Sequence, residues 1–322
     1  MPIYTAKLEV ETMIRLFRSS VFGVLAAWLA LGAALCADET LRPVRYEAKL
    51  NPYVYKPEWY VWTRTDTVSN QFRSHTVTCM RWHATPEKLP KTEVRYGGRT
   101  GFTGLSPFLG VVVNGIPETK ILLDDSRFTP WEEGDRRGFE IRMNFDGAFL
   151  RLRFYMRPDS PVLWATLLPD PSSLTPLQRC ELTFTALPSK LVKDQADKVL
   201  WSGKDVYQRS FQTNERRLAP EQGTTVLTPL ETQVVFQDDI NDGAGPDRGV
   251  GPCLLVLRHD GVAKAVAEPG NGWLSRVKVT LAPEFQAFHF GLFNPPVPIA
   301  NQDFQRQLES LQSAFTWREA GD

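Results

Sequence analysis

The chain has 322 residues, with 37 basic and 37 acidic side chains and a formal net charge of zero. That balance excludes a general nucleic-acid binder, which needs a basic excess to meet phosphates. Hydrophobic residues make up 42%, ample for a packed core, and 9 tryptophans with 24 prolines fit a loop-rich β-protein better than a helical one.

Residues 1–37 read as a signal peptide. Arg15 and Arg18 precede the apolar run Val21–Leu31, and Leu35-Cys36-Ala37 offers a peptidase site with a small residue last. Glu9 and Glu11 sit badly in a basic leader, so Met13 is a second candidate start. A lipid anchor at Cys36 and a retained membrane anchor are the alternatives. The expectation is a secreted or periplasmic protein with no membrane span once the leader is removed. Cys79, Cys180 and Cys253 then remain, at spacings that suit neither zinc nor a redox pair. Burial on strands is expected for at least two of them. No Asn-x-Ser/Thr sequon occurs, which favours a bacterial envelope.

Strands are expected at Tyr53–Tyr55, Glu58–Arg64, Phe72–Trp82, Thr92–Tyr96, Phe108–Val113 and Lys120–Leu123, with Asn114-Gly115 as a turn. Asp124–Gly138 reads as a polar loop holding Trp131, Glu132 and Glu133. A hairpin follows. Phe139, Ile141, Met143 and Phe145 alternate with Glu140, Arg142 and Asn144, and Leu150, Leu152, Phe154 and Met156 alternate with Phe149, Arg151, Arg153 and Tyr155. Asp146-Gly147 between them suits a two-residue turn with positive φ. The turn sets Met143 opposite Leu150 and Ile141 opposite Leu152, so one face is apolar and a one-residue slip would destroy it. Val162–Leu168, apolar on both faces, reads as a covered central strand.

Later strands are expected at Glu181–Ala186, Lys198–Trp201, Val206–Gln212, Thr224–Leu227, Gln233–Gln237, Cys253–Arg258, Trp273–Leu281 and Phe285–Leu292. One helix is expected over Asn301–Thr316, with Asn301 as its cap and Phe304, Leu308, Leu311 and Phe315 on one face. The fold class is therefore all-β: a large antiparallel two-sheet sandwich with one C-terminal helix. Residues 38–322 are read as a single domain, the alternative being two smaller sandwiches joined near Pro169–Pro176.

His75, His83, His259 and His289 have no metal-ligand spacing, and no Gly-x-Ser-x-Gly elbow is present. Asp238–Gly243 is rich in oxygen ligands but has Ile240 at the third position of a calcium loop, so a solvated turn is the preferred reading. No cofactor or metal is expected. Trp164 belongs to the core by pattern, and Trp131, beside Glu132 and Glu133, is the best exposed indole for stacking on a sugar. The hairpin register sets Arg142 opposite Arg151, like charges that need either acids or an anionic ligand. Glu140 answers Arg153 in part, while Tyr155 and Arg157 extend the cluster; Glu132, Glu133, Asp135 and Asp159 are the nearest further acids in sequence. The candidate ligand-binding set is Trp131, Arg142, Arg151, Arg153, Tyr155 and Arg157; no catalytic residue is assigned.

The stretch Phe154-Tyr155-Met156-Arg157-Pro158-Asp159-Ser160-Pro161-Val162-Leu163-Trp164 is similar to the strand–turn–strand crossing of the carbohydrate-associated β-supersandwich group, which includes galactose-mutarotase-like domains. The resemblance covers fold style over residues 48–292 and implies a carbohydrate partner. The histidine pair and glutamate base of the mutarotase enzymes are not placed here, and no family role passes to any residue. The leading expectation is a protein that binds a saccharide or polysaccharide, an anionic one included, without transforming it. A lyase, epimerase or hydrolase on the same fold is the second reading, and a structural or adhesion component of an envelope complex the third.

Overall fold

A computed structural model of the chain describes residues 42–45, 60–83, 91–96, 108–120, 128–190, 192–200, 203–243, 251–269 and 274–318. These all belong to the unit Leu41–Asp322. The leader, the strand expected at Tyr53–Tyr55 and the first residues of the loop expected at Asp124–Gly138 lie outside the described residues.

Two antiparallel sheets face each other. The first runs, in spatial order, Arg42–Arg45, Tyr60–Ser69, Ser74–His83, Lys91–Tyr96, Leu109–Val113, Cys180–Ala186, Ser275–Leu281, Val262–Glu268 and Thr225–Val226, with Ile116–Pro117 pairing beside Leu109–Val113. The second runs Arg217–Leu218, Arg209–Thr213, Gln233–Asp238, Cys253–Leu257, Phe288–Phe293, Leu163–Pro169, Ala148–Met156, Arg136–Phe145 and Phe128–Glu133. Strands from either side of Pro169–Pro176 pair with each other, Leu163–Pro169 with Phe288–Phe293 and Cys180–Ala186 with Leu109–Val113. Alternate residues of both sheets fill one core, among them Phe154, Phe184, Phe211, Phe236 and Phe290. Cys180 and Cys253 are buried free thiols on strands of that core. Burial pushes the Cys180 thiol up to about 12.

The hairpin has the expected register, with Met143 opposite Leu150, Ile141 opposite Leu152 and Arg142 opposite Arg151. Its turn residues Asp146 and Gly147 both have positive φ, 53° and 86°, as a twisted two-residue hairpin requires. Leu163–Pro169 is central, and Leu163 to Leu167 is buried throughout.

Several elements differ from expectation, the short strands Arg42–Arg45, Ile116–Pro117 and Arg217–Leu218 among them. The loop read at Asp124–Gly138 contains the strand Phe128–Glu133, which pairs with Arg136–Phe145 as the sheet edge; Pro130 is tolerated there because an edge strand has spare N–H positions. Val262–Glu268 is a strand whose alanines Ala265 and Ala267 face the core. At Lys120 a 3₁₀ turn over Glu118–Lys120 replaces the start of a strand.

The helix spans Asn301–Ser310, followed by a 3₁₀ turn at Gln312–Phe315. Its cap is Ala300, not Asn301. The Asn301 N–H instead donates to the Asp242 carboxylate at 3.0 Å, and the Asn301 side chain donates to the Asp238 carbonyl at 2.7 Å. Phe304, Leu308 and Phe315 pack on Trp164, Val235, Leu254, Val256 and Phe293, so the helix covers part of the outer face of the nine-stranded sheet.

Candidate functional site

That outer face carries every candidate residue of the sequence reading. Strand alternation sends Phe139, Ile141, Leu150, Leu152 and Phe154 inward, so Glu140, Arg142, Arg151, Arg153 and Tyr155 point outward. Cross-strand register then builds rows. Trp131 stands opposite Gly138 and Gly138 opposite Tyr155; Glu140 faces Arg153, which faces Thr166; Arg142 faces Arg151, which faces Leu168.

Trp131 is partly buried on the edge strand, not held out on a loop. Its ring lies 5.4 Å from that of Tyr155, across Gly138, with the Arg153 guanidinium 4.9 Å from the indole. A side chain at Gly138 would collide with the neighbouring strand, because a Cβ there would stand 1.8 Å from the Phe154 carbonyl oxygen. Tyr155 is 1% exposed, and burial pushes its phenol up against the opposing pull of Arg136. Arg157 is 4% exposed: Nε meets Asp159 at 3.2 Å, Nη1 donates to the Thr316 carbonyl, and the guanidinium sits 5.4 Å from the Trp164 ring. Burial lowers the Arg157 pKa, with Asp159 opposing. Tyr155 and Arg157 are therefore largely buried, with Arg157 also bordering a recess of about 450 Å³.

The acids that answer the hairpin arginines are Glu140 and Asp170. Arg153 meets Glu140 at 2.7 Å, and Arg142 meets Asp170 at 2.7 Å while donating to the Ser172 hydroxyl. Burial acts to raise the Asp170 carboxyl, but the Ser172 N–H and hydroxyl together with Arg142 outweigh it and hold it low. Among the described residues Arg151 reaches only Glu140, at 4.0 Å, and that carboxylate already serves Arg153. Glu132 lies 3.7 Å from Arg137 on the exposed edge, and Asp159 serves Arg157 and Arg318.

Beyond the arginine rows the segment after the helix crosses the sheet. Ser160 donates to the Ala314 carbonyl, Arg136 donates to the Arg318 carbonyl, and Trp317 lies 4.3 Å from the His289 ring and 4.2 Å from the Arg258 guanidinium. His289 Nδ1 and the Thr166 hydroxyl are 2.9 Å apart. Burial, helped by Arg258 and Arg136, lowers His289 to about 4. His289, Arg258, Asp260 and Glu284 border a recess of about 390 Å³.

The acidic loop is not a solvated turn at its first residue. Asp238 is buried and accepts from the Ser189 hydroxyl at 2.6 Å and from the Ile240 and Asn241 N–H groups. Among the described residues no group of three or more His, Cys, Asp and Glu is placed to hold a metal. None of their helices is long and apolar enough to cross a membrane.

A larger concavity, of about 550 Å³, lies between the helix and the strands Arg209–Thr213 and Gln233–Asp238. Sequence reasoning missed it, although Gln302, Gln305 and Gln312 recur along one flank of the expected helix.

No protein-family model matches the chain, and no curated protein matches it. Among solved structures it is similar to two GH36 alpha-galactosidases of Geobacillus stearothermophilus. For AgaB, 76% of this chain aligns at 10% identity with a TM-score of 0.33; for AgaA, 74% aligns at 9% identity with a TM-score of 0.35. The chain spans 41% of the length of each. The likeness is a loose one of fold, and it says nothing of activity.

Proposed function

We propose that the protein binds an acidic saccharide on the outer face of its nine-stranded sheet and releases it unchanged. The observation that carries this reading is the charge count around Arg151. Three guanidinium groups, Arg142, Arg151 and Arg153, share two carboxylates, Glu140 and Asp170, among the described residues. Among the described residues Arg151 is the one of the three left without a close acid. A guanidinium in that position can grip a carboxylate or sulfate by two parallel hydrogen bonds. Trp131 stands two rows along, about 13 Å further on at the rise of a strand, and two strands across, so a ligand touching both is longer than one sugar ring.

Calorimetric titration with a galacturonate tetramer and a sulfated disaccharide tests this. At least one binds, raising NaCl from 50 to 300 mM weakens it, and Arg151→Ala weakens it at least about tenfold without lowering the melting temperature. Equal binding by the variant, or early melting of a variant whose parent bound nothing, assigns Arg151 to the framework instead.

One observation favours a carbohydrate-active enzyme as the second reading: the recess that places the low-pKa His289 near Asp260 and Glu284. Under it, glycan turnover is measurable and His289→Ala abolishes it.

A further inference from the structure

We propose that the groove beside the helix is a separate binding site for an uncharged, polyhydroxylated ligand such as a segment of neutral oligosaccharide. Eight of its twelve described lining residues are asparagine or glutamine, and Glu309 is the one charged side chain among those twelve. Both walls follow from local structure. Val234 and Phe236 point into the core, so Gln233, Val235 and Gln237 face outward as the floor, with Gln212 opposite Val235. On the helix, Gln302, Gln305 and Glu309 recur at spacings of three and four, which places them on one flank beside the buried Phe304 and Leu308.

The amides are poised and incompletely used. Gln237 Nε2 is held by the Ser210 hydroxyl and the Asp239 carboxylate, and Asn301 Nδ2 by the Asp238 carbonyl. Among the described residues, Gln305 Nε2, a donor, and Asn301 Oδ1, an acceptor, are buried without hydrogen-bond partners one helical turn apart. Buried polar atoms are rarely left so, and a rotation of either side chain toward the groove would let a ligand hydroxyl, which donates and accepts, meet it. With no Lys or Arg in its lining, the groove does not match an anion. Nor does it match an added peptide strand: Arg209–Thr213 is already paired on both sides, to Arg217–Leu218 and Gln233–Asp238. The groove owes nothing to the arginine rows, so the two sites stand or fall separately.

The side-chain NH₂ signals of ¹⁵N-labelled protein report on this directly. Titrate with neutral glucose, galactose and mannose tetrasaccharides, the galacturonate tetramer and a glutamine-rich decapeptide. At least one neutral tetrasaccharide is expected to move the Gln233 and Gln305 signals, with an affinity unchanged between 50 and 500 mM NaCl. Gln305→Leu is expected to weaken it at least tenfold at an unchanged melting temperature, and Gln233→Leu does the same should the helix variant fail to fold. The inference is overturned if no neutral tetrasaccharide moves these signals, if only the acidic tetramer or the peptide does, or if the variants bind as well as the parent.

Discussion

Burial fixes the protonation of two histidines. His75, 1% exposed with its ring 2.8 Å from the Pro161 carbonyl, is lowered to about 4 mainly by burial, as His289 is. An unfolded histidine titrates near 6.5. Between those values the unfolded chain takes up protons that the folded chain refuses, so stability present above about pH 6.5 is lost as pH falls through 4. Glu231 acts in the same direction lower down: burial would raise it, but Arg216, the Thr228 N–H and Thr213 hold it at about 2. The melting temperature should therefore be flat from pH 8 to 7 and fall between 6.5 and 4, with a shallower fall in His289→Gln; a rise on acidification would contradict this. At this scale the sequence showed the clash of Arg142 with Arg151, because pairing follows from the turn. It did not show the answer, because Asp170 arrives from the loop after the next strand, whereas the nearer acids serve other arginines or face solvent.

Elements with strict alternation were legible, and those with mixed signals were not. The hairpin register follows from the Asp-Gly turn and a two-residue period. Val262–Glu268 carries Ala, Lys and Glu, poor strand formers whose placement comes from pairing with Ser275–Leu281. Phe128–Glu133 is disguised by Pro130 and two acids, and this removed Trp131 from its expected loop. The helix was visible from its apolar stripe, but the groove beside it was not, since glutamines on a helix flank look like solvated surface until a strand face is set against them. Gly138→Ala should destabilise by more than about 2 kcal/mol, because its Cβ meets backbone that cannot move aside. Phe304→Ala should cost about 3–5 kcal/mol, the usual range for a buried aromatic. Denaturant unfolding measures both, and an unchanged midpoint for Phe304→Ala would mean that the helix does not dock as described.

At the scale of the whole molecule, strands from both halves interleave in both sheets, so one cooperative transition is expected. Tryptophan fluorescence and far-ultraviolet circular dichroism should report the same midpoint; separate midpoints would favour two sandwiches. Intact mass from an exporting host tests the leader: a chain beginning near Asp38 is expected, and one retaining Val21–Leu35 would oppose cleavage. The central claim is that the outer face of the nine-stranded sheet holds a saccharide without altering it. Its most direct test is to load the protein from a defined mixture of acidic oligosaccharides, recover the bound fraction after prolonged incubation, and weigh it by mass spectrometry. A retained acidic oligosaccharide of unchanged mass is expected, with retention that falls in Arg151→Ala; no retained sugar, or one shortened or lightened by elimination, would overturn the proposal.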